Sequence, residues 1–391
     1  MNIAMFSDSY TPYVSGVVRS VQHFSRGLTA LGHKVYIFAP AYTKDLTDSR
    51  DQEEITVYRF YSVPAPTCPN FFLPIPISVR ADRLVRRLKI DIIHTHSPFL
   101  MGQLGVILSR KRNIPLIFTH HTLYHEYTHY VPAPSGITRQ MIINYVHRYF
   151  RHCDHIITPT LLIKELLLEL YQLDKAITPI PTGIDLAAYE QADKTWLRLR
   201  FNIPAQDRIL LFIGRLSKEK NPLIVLETYA LLAKKLGDHL HVVFVGDGPE
   251  KKRLREWAAK HGLAHLVHFT GSIDSQQVAD CCQGADLFLF GSTTETQGLV
   301  LGEAMAAGLP VVAVAATGTN DIVIHGKNGY VCPSDPQTLA EYCEKILTNR
   351  SLHSALATNA LATAKELSIE NTSMQMLRVY HQVLASKINI T

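Results

Sequence analysis

Two series of short, β-branched runs, each run separated from the next by a helix-length stretch, leave this chain few folds to adopt. In the first half the runs fall at residues 3–6, 34–39, 90–94, 115–119 and 155–158. Between the first two, Val17, Val21, Phe24, Leu28 and Leu31 recur at helical spacing, and Gly32 stands where a helix would stop. The second series falls at 208–213, 240–245, 266–269, 286–290 and 310–314. Apolar strands alternating with amphipathic helices build a parallel sheet covered on both faces. The rhythm breaks at Thr178-Pro-Ile-Pro-Thr-Gly183. The expected fold is therefore α/β, with two Rossmann-like, doubly wound domains meeting near residue 180.

A chain of 391 residues has room for two such cores, and 47% hydrophobic with 19% charged residues is the balance of a globular protein. The longest apolar stretch, 298–318, contains Glu303 and Pro310 and is a poor membrane span. Met1-Asn-Ile-Ala-Met-Phe6 has no basic segment, so no signal peptide and a cytoplasmic location are expected. The six cysteines show no Cys-x-x-Cys spacing, which makes reduced thiols the default. Charge is uneven: residues 1–180 hold 19 Lys/Arg against 13 Asp/Glu, and the remainder 20 against 21.

Ligands of doubly wound sheets bind beyond the carboxyl ends of the strands, which directs attention to the loops after Phe6, Thr119, Ile213, Val245 and Phe290. No Gly-x-Gly-x-x-Gly follows the first run, and Ser15-Gly16 is the only small-residue turn there, which disfavours a nicotinamide or flavin enzyme. After Phe290 comes Glu295-Thr-Gln-Gly-Leu-Val-Leu-Gly-Glu303, a loop leading into a helix that Gly308 and Pro310 end. A helix N-terminus at a strand end attracts an anion, phosphate above all, and a carboxylate beside it suits sugar hydroxyls. Taken alone, the pair is also compatible with one capping acid and one solvated acid. After Ile213, Gly214-Arg215 and Lys220 could converge on a diphosphate, or be ordinary basic loop residues. Gly246 and Gly248 permit close backbone approach to a ligand, or form a simple turn.

Gly214-Arg215 with Lys220 five residues on, the Gly246-Asp-Gly-Pro249 turn, the Glu295/Glu303 pair and Pro181-Thr-Gly-Ile-Asp185 together resemble the family-4 retaining glycosyltransferases, in family order over nearly the whole chain. The resemblance implies a GT-B fold, two Rossmann-like domains facing across a cleft. The first, 1–180, would take the acceptor and the membrane side, with a C-terminal helix in 371–391 packing back on it; the second, 181–370, would bind the nucleotide-sugar. It further implies that Arg215 and Lys220 hold the donor diphosphate, Glu303 the ribose, and Glu295 a sugar hydroxyl near the reacting centre. Backbone at Gly16, Gly214, Gly246, Gly298 and Leu299 would face the donor. Gly16 matches the second glycine of the family's N-terminal pair, whose first is Ser15 here. His121 of His121-Thr122 would face the donor sugar as a catalytic group. No cofactor or catalytic metal is implied, and no Asp-x-Asp occurs.

His125-Glu-Tyr-Thr-His129 also fits the zincin pattern His-Glu-x-x-His. Pro132 and Pro134 just beyond it and its place at a strand end make a zinc peptidase the least favoured reading.

Two features point to a lipid acceptor. Residues 78–90 pattern as an amphipathic basic helix, with Arg80, Arg83, Arg86, Arg87 and Lys89 around an apolar face, which would attract anionic lipid. Ahead of it, Pro69-Asn-Phe71-Phe72-Leu73-Pro-Ile-Pro-Ile77 reads as a proline-broken apolar loop. Ser7-Asp8-Ser-Tyr10, His121-Thr-Leu-Tyr124 and Glu295-Thr-Gln-Gly-Leu299 are similar to bacterial diacylglycerol glucosyltransferases. That narrower similarity implies UDP-glucose as donor, diacylglycerol as acceptor, and peripheral association with the inner face of the cell membrane. Tyr124 would lie on the acceptor side; the loop with Phe71 and Phe72 and the basic helix together could dock at an interface and admit an acyl chain, or be an ordinary core-covering loop and a solvated surface helix. Phosphatidylinositol, a polyprenyl-linked saccharide and a soluble small molecule stay open as acceptors; no nucleic-acid partner is expected.

Overall fold

The computed structural model describes residues 1–42, 48–51, 55–65, 68–75, 78–126 and 135–388. The chain divides into two compact units, one of Met1–Gly183 with Ile369–Thr391 and one of Ile184–Ser368.

The first unit runs β1 (Asn2–Phe6), α1 (Gly16–Ala30), β2 (Lys34–Pro40), β3 (Ser49–Asp51), β4 (Ile55–Phe60), β5 (Ser62–Ala65), β6 (Cys68–Pro74), α2 (Val79–Arg87), β7 (Ile92–Thr95), α3 (Leu100–Arg112), β8 (Leu116–Thr119), α4 (Ser135–Phe150), β9 (His155–Thr158), α5 (Leu161–Tyr171) and β10 (Ile177–Pro179). Its sheet has the order β10-β9-β8-β7-β1-β2-β4-β3, parallel except for β3. The strands are buried on both sides. One side packs against α2 to α5 through Leu84, Leu104, Val146 and Leu167, the other against α1 through Val18, Val21, Phe24 and Leu28. On α1 the buried stripe starts at Val18 rather than Val17, and Leu31 is 38% exposed because the helix ends at Ala30 and Gly32 turns the chain at φ 82°.

The second unit runs α6 (Leu186–Glu190), α7 (Trp196–Phe201), β11 (Arg208–Ile213), α8 (Pro222–Leu236), β12 (Leu240–Val245), α9 (Lys251–Lys260), β13 (Val267–Gly271), α10 (Ser275–Gly284), β14 (Leu287–Phe290), α11 (Leu299–Ala306), β15 (Val311–Val314), α12 (Thr317–Ile322), β16 (Gly329–Cys332), α13 (Pro336–Thr348) and α14 (Arg350–Glu366). Six parallel strands lie in the order β13-β12-β11-β14-β15-β16 around a core of its own. The chain then returns to the first unit as α15 (Ile369–Ile388), whose Met376, Val379, Tyr380 and Val383 are buried beside α1.

The apolar segment expected to be a loop around residues 69–77 is strand β6, paired antiparallel with β5. Phe72 is partly buried and meets the Tyr42 ring edge-on at 5.3 Å, so it is packed rather than presented. The side chain of Phe71 and residues 76–77 lie outside what is described. The basic helix ends at Arg87, and Lys89 follows it in the left-handed region at φ 49°. Arg80 departs from the outward face: it pairs with Asp48 at 2.5 Å and donates to Arg59 O at 2.7 Å.

Candidate active site

Each sheet has one point where strand order reverses, and there the loops on the two sides leave a crevice. In the second unit it lies between β11 and β14. The loop after β11 carries Arg215 and Lys220, the loop after β14 carries Glu295, and α11 begins immediately after it. Lys220 Nζ lies 2.5 Å from Glu295 Oε1, both side chains partly exposed, at 28% and 13%. The structure thus joins a cation and an acid that the sequence places on different motifs. Ser292 Oγ donates to Glu219 O at 3.3 Å, tying the two loops again. Burial raises Glu219, but the Ser217 hydroxyl together with Arg215 and Lys220 overcomes it and leaves the carboxyl below its ordinary value. Arg215 itself is exposed at the strand end.

Gly298 caps α11 in the left-handed region at φ 71°, which turns the chain so that the N–H groups from Leu299 onward head the helix. Glu303 sits one turn further in and is only 5% exposed. On the far side of the Glu295 loop, a Cβ at Gly318 would stand 2.5 Å from Gln297 N, so α12 presses directly on the loop that carries Glu295.

Gly246 lies close against a neighbouring loop. It has φ 126°, and a Cβ there would stand 2.1 Å from Gly214 O. A Cβ at Gly248 would stand 2.3 Å from Leu216 O. Backbone bonds run across the same contact, Gly214 N to Val245 O at 3.0 Å and Leu216 N to Asp247 O at 3.0 Å. The turn after β12 therefore fixes the direction in which Arg215 leaves β11.

In the first unit the reversal lies between β1 and β7. Asp8, after β1, accepts from Met101 N at 2.6 Å and from the Ser97 hydroxyl, satisfying the N-terminus of α3. Burial raises its pKa against those two bonds. His121, after β8, meets His96 at 3.0 Å between Nε2 and Nδ1, with the rings stacked. His96 in turn packs tilted against His94 at 4.2 Å, whose ring bonds Tyr380 and Thr119, each at 2.7 Å. Burial pushes His94, His120 and His121 down to about 3, so all three are neutral at pH 7. The sequence reading passed over His94 and His96. Their signal was two histidines at alternate positions running off a strand end, on one side of the sheet.

Ser15 N-caps α1 by accepting from Val18 N at 3.2 Å, which accounts for a serine in place of the first glycine. A Cβ on Gly16 would meet nothing within 4 Å, so the fold does not require that glycine. Tyr124 packs edge-on to Phe99 at 5.2 Å and to His120 at 5.3 Å. Of the zincin pattern, His125 and Glu126 lie in a 3-10 turn, Tyr124–Glu126; the rest of it, His129 included, lies outside the described residues. Among the described residues, no three His, Cys, Asp or Glu side chains are placed to hold a metal ion.

Known structures share this architecture. Sucrose-phosphate synthase from Thermosynechococcus elongatus superposes with a TM-score of 0.78 at 22% identity, over 98% of this chain and 99% of its own. Anabaena HepE in complex with UDP-glucose gives 0.77 at 20%, over 98% and 100%. Two doubly wound parallel sheets of this kind make the fold GT-B, that of glycosyltransferases. The profile described as Glycosyltransferase Family 4 matches residues 14–188, and that described as Glycosyl transferases group 1 matches 193–363. An α-monoglucosyldiacylglycerol synthase of Acholeplasma laidlawii is 31% identical over 95% of this chain and 94% of its own. One from Streptococcus pneumoniae is 31% identical over 99% and 87%. The chain belongs to the family-4, group 1 glycosyltransferases and is a hexosyltransferase.

Proposed function

We propose that this glycosyltransferase moves glucose from UDP-glucose to diacylglycerol with retention, giving an α-monoglucosyl lipid at the inner face of the cell membrane. The observation that carries the reading is the Lys220–Glu295 contact at the β11/β14 reversal. Departure of a nucleoside diphosphate needs a cation where negative charge grows, and the sugar it leaves needs an acceptor-only group for its hydroxyls. Both stand there together. In the proposed step the bond from the anomeric carbon to the diphosphate oxygen breaks while the acceptor oxygen bonds to the same face of that carbon. The acceptor proton passes to the departing phosphate oxygen. Arg215 and Lys220 neutralise the leaving group, the head of α11 adds N–H donors and Glu303 takes the ribose, while neutral His121 keeps the role toward the donor sugar that the family resemblance gives it. Neutralisation is thus assigned to side chains, and no cofactor or metal is given a role.

The acceptor rests on the two relatives named α-monoglucosyldiacylglycerol synthase and on a feature of the first unit. Val63, Ile75 and Val79 are 43%, 47% and 67% exposed around the β5–β6 hairpin and the start of α2, next to exposed Arg83, Arg86 and Arg87. An apolar lip beside basic charge suits a bilayer interface. Among the described residues no helix is long and apolar enough to cross a membrane. A soluble acceptor is the second reading, because a D-inositol 3-phosphate glycosyltransferase from Nocardioides is 27% identical over 93% of this chain.

Purified protein incubated with radiolabelled UDP-glucose and liposomes, with and without diacylglycerol, tests the proposal. Label should enter the organic phase only with diacylglycerol, as the α anomer by NMR. Label appearing in a water-soluble glycoside would sink the lipid reading, and indifference to a panel of other sugar nucleotides would sink the donor.

A further inference from the structure

Helices α2, α3 and α4 lie side by side on one face of the first unit's sheet. Asp82 of α2 is bound by Lys111 at 2.8 Å and Arg112 at 2.7 Å, at the end of α3. On its other side α3 meets α4: Gln103 Nε2 donates to Tyr145 Oη at 2.8 Å, Phe99 stacks on Tyr145 at 5.6 Å, and Arg110 touches His152 at 2.5 Å. The three helices hold nine arginines and lysines and one acid, Asp82, which is neutralised twice over.

The outward side of α3 and α4 combines two kinds of exposed residue. Ile137, Met141 and Tyr145 stand four apart along α4, 64%, 66% and 37% exposed, and Ile107 on α3 is 49% exposed. Where this stripe ends, Arg110, Arg148, Arg151 and His152 line a hollow of about 350 Å³ that no acid lines. Cations at helix C-termini stabilise the helix dipole, and that accounts for some of these charges. It does not account for an aliphatic stripe left in water beside them, nor for the exclusion of acids. A surface shaped only for solubility mixes both signs and avoids such stripes. Nucleic acid would take the charge and leave the aliphatic residues without a partner. A bilayer of anionic phospholipid takes both, acyl boundary for the stripe and phosphate for the guanidiniums, whose planar forks fit phosphate oxygens.

We infer that the outward face of α3 and α4 docks on anionic phospholipid membrane, with Ile107, Ile137 and Met141 in the interfacial layer and the Arg110–Arg148–Arg151 hollow seating a lipid phosphate. The inference rests on the membrane reading above but moves the contact away from α2. In a parallel sheet the connecting helices run against the strands, so the C-terminal ends of α3 and α4, and the hollow with them, lie at the edge opposite the His96–His121 pair. Substitutions in it therefore leave the reacting groups alone.

The test is co-sedimentation of the full chain with vesicles of phosphatidylglycerol and phosphatidylcholine, or phosphatidylcholine alone, without diacylglycerol or donor. Wild type should bind the anionic vesicles. Ile137→Gln with Met141→Glu, and separately Arg148→Glu with Arg151→Glu, should each weaken that binding by about tenfold or more. Their thermal melts and their hydrolysis of UDP-glucose should match wild type, which separates lost docking from lost folding. If both double variants bind anionic vesicles like wild type, the α3–α4 surface is wrong while the proposed reaction stands. If wild type binds no vesicle, the membrane reading fails first and takes this one with it. If inorganic phosphate displaces the protein from vesicles only through Arg148 and Arg151, and the apolar variant binds normally, the hollow is a site for free phosphate and the inference is overturned.

Discussion

The 2.5 Å contact of Lys220 with Glu295 joins residues 75 apart in sequence and ties the two assigned roles together, one for phosphate and one for sugar. A lysine already against a carboxylate presents less net charge until a diphosphate arrives, and its three donors can then serve both. Lys220→Met should lower kcat by about 100-fold, the scale of losing one donor to a developing oxyanion, while stability falls by only about 1 kcal/mol because the pair is partly exposed. Steady-state kinetics beside a urea melt checks this; equal losses in both would make Lys220 structural. His120 supports a different prediction. It is fully buried among Phe118, Tyr124 and Phe150, and among the described residues neither ring nitrogen has a hydrogen-bond partner. Its pKa falls to about 3 by burial, against about 6.5 unfolded, so below pH 6.5 the unfolded chain binds a proton that the folded chain refuses. Stability therefore falls as pH drops through that window, by about 1.4 kcal/mol per such histidine between pH 7.5 and 5.5. His120→Leu should be close to neutral at pH 7.5 and should remove one histidine's share of the slope in urea melts at the two pH values. An unchanged slope would mean that His120 titrates normally.

Elements differ in how far the chain announces them, and the difference is physical. Residues 208–213 and 240–245 are β11 and β12 to the residue, because a strand buried on both faces is apolar over nearly all its length. Strands β3, β5 and β6 escaped because they lie at the sheet edge or in a separate hairpin, where Pro64, Pro69 and Pro74 are tolerated and imitate a loop; β4, between β2 and β3, was passed over because Thr56 and Arg59 interrupt its apolar run. Strand β10, three residues long at Ile177–Pro179, overlaps the segment taken as the break and was hidden by it. At the candidate site, the placement of Arg215, Lys220 and Glu295 in loops beyond strand ends and of Glu303 in the helix that follows was legible, because a doubly wound sheet alternates strand, loop and helix. The Lys220–Glu295 pairing was not, since no spacing encodes which side chains meet across two loops. Nor was Gly246's partner, the Gly214 carbonyl. Gly246→Ala meets both a positive φ and that carbonyl, so it should cost about 2 kcal/mol or more. Because the turn aims Arg215, activity should fall further than stability alone explains, as measured at a temperature where the variant is fully folded. Ser15→Ala, losing one N-cap bond, should cost about 1 kcal/mol in the same melts.

At the scale of the whole molecule, each unit has its own core, and the chain's last helix belongs to the first. The spacing of Met376, Val379, Tyr380 and Val383 shows that α15 buries one stripe, yet nothing in that spacing names the sheet it covers. The structure names it through a polar contact: Tyr380 Oη bonds His94 at 2.7 Å, and His94 packs against His96, which stacks on His121. Gly183 shows the same dependence, since a Cβ there would stand 2.6 Å from Ile369 Cα at the start of α15. The end of the chain thus completes the histidine cluster formed by β7 and β8. Tyr380→Phe removes the hydroxyl and strands a buried imidazole nitrogen, at about 1–3 kcal/mol. Met376→Ala opens a cavity in the same core, at about 2–5 kcal/mol. Hydrogen exchange should show both losses in the amides of β1, β7 and β8 and of α1 and α15, with protection of β11 to β16 unchanged. Only Tyr380→Phe should also disturb His94, seen as a shifted imidazole resonance, because only it touches that ring. Equal deprotection of both sheets would instead mean that the two cores unfold as one.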